Sequence, residues 1–143
     1  MEKCFLTRNN DQWASPNNIY NYYIHELGYY DFNPLSIKYE DSLKKEFNCN
    51  LFCNPPYSNI EPFVDYMIEH VKKGFKVIML LPTRSGTKWF KKLIDFNHSK
   101  IYFFTQRLHF NESKSAPFDC FIAEIDLEIK NEIKFIDREM KEC

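Results

Sequence analysis

Apolar residues recur along this chain with two alternating periods. From Pro16 to Leu27, Tyr20, Tyr23, Ile24 and Leu27 fall at helical spacing, with Ser15 placed to cap, Pro16 at the first helical position and Gly28 just past the end. This predicts a helix over 16–27 with that stripe in the core. A short extended piece follows around Tyr30-Asp31-Phe32. Leu51-Phe52-Cys53 is too short for a buried helix and is stopped by two prolines, so it reads as a strand. A second helix is expected from Pro62 to Lys73, with Phe63, Met67, Ile68 and Val71 inward and Gly74 closing it. Lys76 to Leu81 is almost wholly apolar, the pattern of a strand covered on both faces. A helix near Thr87 to Phe96, a strand over Ile101 to Phe104, a loop with Ser113 to Pro117 and a strand over Asp119 to Ile125 complete the pattern.

Strands alternating with helices predict an α/β layer structure around a largely parallel sheet. In such sheets ligands sit outside the carboxyl ends of the strands. Asn54-Pro55-Pro56-Tyr57 and Pro82-Thr83-Arg84 both fall at such ends, so they are expected to border one crevice.

Length and composition then narrow the class. A chain of 143 residues reads as one domain. With 44% hydrophobic, 17% aromatic and 27% charged residues it has a globular balance enriched in Phe and Tyr. No apolar run reaches membrane-spanning length, and MEKCFLTRNN lacks the apolar stretch of a signal peptide, so a soluble, cytoplasmic protein is expected. The five cysteines are odd in number and share no zinc-ligand spacing beyond Cys49 and Cys53 in a strand region, so reduced thiols are expected. A net charge of −1 gives no global attraction to a polyanion, although a local basic face can coexist with the mixed-charge end EIKNEIKFIDREMKEC. His25, His70, His98 and His109 form no metal-ligand spacing.

The chemistry concentrates in Asn54-Pro55-Pro56-Tyr57. Each proline fixes φ, removes a donor and pushes the preceding residue out of the helical region, so Asn54 and Pro55 are both held extended. A corner built this way presents two acceptors, the Asn54 carboxamide oxygen and the Pro55 carbonyl, with the Tyr57 ring beside them as a flat surface. Two converging acceptors can hold both N–H groups of an amino group on a planar ring. Pulling on them localises the lone pair on the nitrogen, which becomes a better nucleophile toward a methyl sulfonium without needing a strong base. The phenol ring would stack on an extruded base. The same four residues also suit a plain strand-ending turn.

Asn-Pro-Pro-Tyr is the catalytic motif of amino methyltransferases that use S-adenosylmethionine, and the chain resembles the phage-type DNA N6-adenine methyltransferase family from about Asn10 to Ile125, in the family's order. Trp13-Ala14-Ser15-Pro16, Tyr30-Asp31-Phe32-Asn33-Pro34 and Asp41-Ser42-Leu43 match its early segments. Asn54-Pro55-Pro56-Tyr57-Ser58-Asn59-Ile60 and Leu80-Leu81-Pro82-Thr83-Arg84-Ser85-Gly86-Thr87-Lys88-Trp89-Phe90 match its middle. Arg107-Leu108-His109-Phe110 and Ala116-Pro117-Phe118 match its end. Asn33 stands where the family has an aspartate, which leaves the acidic contact to Asp31 or removes it. There are only three glycines and no glycine-rich loop after the first strand.

The resemblance implies a compact Rossmann-like class I methyltransferase fold, a mostly parallel sheet with an antiparallel C-terminal strand, within one domain over 1–143. Residues 10–126 would form the core and 127–143 a polar tail. It implies S-adenosylmethionine as cofactor and adenine in DNA as substrate. Asn54, Pro55, Pro56 and Tyr57 would be catalytic. Trp13, Ser15, Pro16, Asp31, Asn33, Pro34, Asp41 and Asn54 would lie at the cofactor. Ser15 serves equally as a simple N-cap, and Asp41 as the cap of a helix over Ser42 to Phe47. Tyr57, Ser58, Arg84, Lys88, Arg107 and Lys114 would meet DNA, with Arg84 the leading phosphate contact, close to Lys88, Lys91 and Lys92. So short a chain leaves little room for target recognition, which is then slight or is supplied by the loop from Gln106 to Phe118 and a second subunit of a homodimer. The same chemistry on RNA or on a protein glutamine, and a binding module that has lost activity, are the competing readings.

Overall fold

A computed structural model describes residues 15–32, 39–111, 114–115 and 118–143. Its centre is a six-stranded sheet in the spatial order β1 (Tyr30–Asp31), β2 (Leu51–Cys53), β3 (Val77–Pro82), β7 (Cys120–Ile125), β4 (Ser99–Phe104) and β8 (Glu132–Ile136). β1, β2 and β3 pair in parallel, as do β4 and β8, while β7 runs antiparallel to both β3 and β4. Two short strands, β5 (His109–Asn111) and β6 (Lys114–Ser115), form a separate antiparallel pair inside the stretch expected to be a loop. The expected architecture, a mostly parallel α/β sheet with an antiparallel strand, is the one observed.

Strand periodicity divides the core in two. Every residue of β3 is buried, and Val77, Met79 and Leu81 face one side while Ile78 and Leu80 face the other. The first side is packed by α3 (Glu61–Lys72) and α4 (Lys88–Phe96) through Phe63, Val64, Met67, Val71, Trp89 and Leu93. The second side is packed by Ile19 and Tyr23 of the first helical segment. Both flanking helices begin and end as their sequences dictate. Pro62 lies in the first turn of α3 with Glu61, and Lys72 lies in the last, matching the helix dipole. Gly74 then takes φ 106°, a conformation open to glycine and strained for other residues. Thr87 caps α4 by accepting from the Phe90 amide, and Asn97 ends it in the left-handed region.

Four sequence expectations change here. The first helix begins as α1 (Asn17–Tyr20) and continues as a π-helical segment, Asn21–Glu26. Each residue of the wider turn advances through a smaller angle, so Leu27 rotates off the buried stripe and is half exposed. Ser15 makes no capping bond; Pro16 occupies the cap position, with ψ at 142°. Asp41 does not precede a helix but lies inside α2 (Tyr39–Leu43), which ends before most of the expected 42–47 span. Finally, 127–143 is more than a polar tail. Residues 132–136 add β8 parallel to β4, so the antiparallel β7 lies inside the sheet and a further strand follows it. The charges that disguised β8, Glu132 and Lys134, are those an edge strand uses to discourage pairing with other chains.

Candidate active site

The carboxyl ends of β1 and β2 lie side by side, with Asp31 in register with Phe52, while Cys53 pairs with Met79 and β3 runs on to Pro82 beside the corner that follows β2. The chain leaves β2 directly into Asn54-Pro55-Pro56-Tyr57. Both prolines and Tyr57 are buried and Asn54 is half-buried. The corner then turns through a bond from the Asn59 amide to the Pro56 carbonyl and enters α3.

Asn54 is oriented by a partner far away in sequence. Its Nδ2 donates to Ser15 Oγ at 3.1 Å, so Ser15, which does not cap the helix, supports the carboxamide. That bond assigns the nitrogen end of the amide and aims Oδ1, which is buried, in the other direction. Asp31, at the end of β1, accepts from the Tyr20 hydroxyl at 3.2 Å. Burial and this neighbouring carboxylate together raise the Tyr20 pKa, so the phenol remains a donor.

Tyr57 does not present an open face. It is 4% exposed, its ring meets Phe118 edge-on with centroids 5.4 Å apart, and its hydroxyl donates to the Leu80 carbonyl at 3.4 Å. The hydroxyl also shares a hydrogen bond with the Cys120 thiol. A ring whose phenol must reach the backbone of β3 lies along the core rather than over the crevice. Burial pushes the Tyr57 phenol and the Cys53 thiol well above their usual ranges and the Cys120 thiol up to about 12. None of the three offers an anionic base at neutral pH. These thiols, with Cys49 and Cys143, are free.

The turn after β3 closes against this corner. Arg84 Nη1 donates to the Tyr57 carbonyl at 2.9 Å. The crevice predicted between Asn54-Pro55-Pro56-Tyr57 and Pro82-Thr83-Arg84 is therefore a direct contact at this point. The other expected DNA contacts are dispersed. Ser58 and Lys88 are exposed, and Arg107 is exposed with its Nε 3.8 Å from Asp119. Two lysines beside Lys88 are engaged by acids: Lys91 pairs with Asp95 at 2.5 Å, and Lys92 with both Glu61 and Asp65 at 2.8 Å. Asp41 is exposed on α2. Lys114 lies on β6, opposite Asn111. Trp13, Asn33 and Pro34 lie outside the described residues. Tyr20, Leu80 and Cys120 belong to the site through their bonds to Asp31 and Tyr57, roles that their local sequence did not assign to them.

A family model described as DNA N-6-adenine-methyltransferase (Dam) matches residues 4–142. A curated protein of Escherichia phage T1, named DNA N-6-adenine-methyltransferase, is 27% identical over 154 residues, covering 92% of this chain. The chain spans 64% of the length of that relative. A crystal structure from Listeria monocytogenes, provisionally described as a class I S-adenosylmethionine-dependent methyltransferase, aligns with a TM-score of 0.43 at 17% identity, covering 69% of this chain and 40% of that one.

Proposed function

The chain belongs to the DNA N-6-adenine-methyltransferase (Dam) family, and from that premise we propose that it methylates the exocyclic N6 amino group of adenine in DNA, with S-adenosylmethionine as methyl donor. The observation that carries this reading is the stiff diproline corner at the end of β2, whose Asn54 carboxamide is held by Ser15 at 3.1 Å. The residues around it have the chemistry such a cofactor needs. A carboxylate at the end of β1 accepts more than one hydrogen bond, so Asp31 would hold ribose hydroxyls beside its bond to Tyr20. Ser15 and Pro16, at the start of the first helix, would face the methionine end. Trp13, Asn33, Pro34 and Asp41 join this set on the family resemblance alone.

Bound there, S-adenosylmethionine supplies an electrophilic methyl group. The protein's task is to prepare the nucleophile. The Asn54 carboxamide oxygen and the Pro55 carbonyl would accept the two N–H groups of the adenine amino group, drawing its lone pair out of conjugation. The amine becomes acidic once alkylated, so its proton passes to water and no strong base is required. This agrees with a corner whose neighbouring phenol and thiols are all held protonated by burial. The Tyr57 ring would support the base from below after Phe118, packed edge-on against it, gives way.

Incubation of the protein with radiolabelled S-adenosylmethionine and methylation-free DNA, followed by nucleoside analysis, tests the proposal. Label is expected in N6-methyldeoxyadenosine. Label appearing only in RNA or in protein glutamine would reassign the acceptor. No transfer at all, with no heat on titrating the cofactor, would leave a non-catalytic module.

A further inference from the structure

The two prolines stiffen the corner only as far as Pro56; from Tyr57 onward the backbone has no such constraint. At that point Arg84 makes its contact. It lies two residues beyond β3, and its Nη1 donates to the Tyr57 carbonyl at 2.9 Å. The Tyr57 hydroxyl reaches the Leu80 carbonyl, so the residue is tied at its backbone and at its side chain to β3 and the turn after it. Arg84 is itself held on both sides. Its carbonyl accepts from Thr87 Oγ1 at 2.8 Å, and the same hydroxyl caps α4 by accepting from the Phe90 amide. On the other side, the Thr83 amide donates to the Asp119 carbonyl at 2.8 Å. A guanidinium carried on so fixed a turn works as a bracket.

We propose that Arg84 is a positioning residue, whose guanidinium holds the Tyr57 carbonyl and so sets the pitch of the Asn54-to-Tyr57 corner against β3. It acts on the rate of transfer rather than on affinity for DNA. This rests on reading the corner as the methyl-transferring centre. A phosphate contact is felt in DNA affinity and its salt dependence, whereas the bracket needs one N–H of Arg84 held at a defined place against the Tyr57 carbonyl. Misplacing a reacting group by about 1 Å can cost about 100-fold in rate.

Arg84→Ala and Arg84→Lys in the full chain separate the two roles by three measurements. These are single-turnover transfer at saturating cofactor and DNA, DNA affinity across a salt series, and amide hydrogen exchange of residues 57–59. The bracket predicts about 100-fold slower transfer for Arg84→Ala and about 10-fold slower for Arg84→Lys, which keeps the charge but carries its N–H groups on a shorter, more flexible stem. Affinity and its salt slope should not change, and exchange at 57–59 should quicken while the rest of the chain stays protected. Unchanged single-turnover rates with a salt slope reduced by about one in Arg84→Ala would overturn the bracket in favour of a phosphate contact. Should the unaltered protein transfer no methyl group to DNA, the functional reading fails on its own. Exchange then still decides: unchanged exchange at 57–59 in Arg84→Ala overturns the bracket, and faster exchange supports it. If Arg84→Ala does not fold, Arg84→Lys is judged by the same rate and exchange criteria.

Discussion

Asn54 and Ser15 lie 39 positions apart and meet at 3.1 Å, with the carboxamide nitrogen donating to the serine hydroxyl. The bond spends the nitrogen end of Asn54 on the protein and aims the oxygen elsewhere. A carboxamide oriented in this way by its nitrogen end is what holding an amino nucleophile needs. Asn54→Ala should therefore lower the rate of methyl transfer by about 100-fold, as removal of one preorganised polar group does elsewhere, while changing cofactor affinity little. Calorimetric titration beside single-turnover kinetics checks this. Equal losses in both would remove Asn54 from its assigned role. Ser15→Ala should cost less, about 10-fold, because the carboxamide remains and only its orientation loosens.

The two ends of the Tyr57 side chain predict different consequences. Its hydroxyl bonds to the Leu80 carbonyl and the Cys120 thiol, both within the core, so Tyr57→Phe should lower stability by about 1 kcal/mol and leave most of the transfer rate. Tyr57→Ala removes the ring and should abolish most transfer, with a destabilisation of about 3 kcal/mol. Urea unfolding and kinetics on the two variants make the comparison. A Tyr57→Phe protein as slow as Tyr57→Ala would place the chemistry at the hydroxyl instead of the ring.

What could be read from the sequence depended on how strongly burial marks a residue. β3 is apolar throughout because both its faces are covered, and its span was legible almost to the residue. β8 was not, since only Ile136 is buried while Ile133 and Phe135 remain more than half exposed between charged neighbours. In the first helix Tyr23 lies in the core as expected, but Ile19, outside the expected stripe, is fully buried and Leu27 is displaced, because periodicity assumes one pitch and the π-helical turns do not keep it. At the site, the sequence placed Asn54 and Arg84 at neighbouring strand ends. Which atoms meet is decided by backbone turns: Arg84 finds a carbonyl rather than open space, and Ser15 finds a side chain instead of its own helix.

Basic residues near the crevice should divide by whether acids already hold them. Lys92 sits between Glu61 and Asp65, which raise its pKa by direct hydrogen bonds, so Lys92→Ala should leave the salt dependence of DNA binding unchanged. Lys88 has no ion pair among the described residues and is exposed. Lys88→Ala should flatten the slope of log affinity against log salt by about one if the lysine meets a phosphate. Binding isotherms at four or five salt concentrations suffice. A slope altered by Lys92→Ala and not by Lys88→Ala would move the DNA path one turn along α4, away from its start.

His70 sets the last expectation, one about stability. It is buried at 2% exposure, stacked on Phe75 with centroids 4.6 Å apart, and its Nε2 lies 2.7 Å from the Cys49 carbonyl. Burial lowers its pKa, the Cys49 bond opposes this, and Lys73 adds to it. A depressed pKa means that the unfolded chain binds a proton more readily than the folded one. Stability contributed by neutral His70 is thus present above the unfolded value of about 6.5 and is lost as pH falls from there toward the folded value. Melting temperature should decline over that range, and His70→Gln, which does not titrate there, should flatten the decline while costing about 1 to 2 kcal/mol at neutral pH through lost stacking. Thermal unfolding of both proteins from pH 7.5 to 5 distinguishes the outcomes. Parallel curves would show that His70 carries none of the pH dependence and that its ring is tolerated in the charged form.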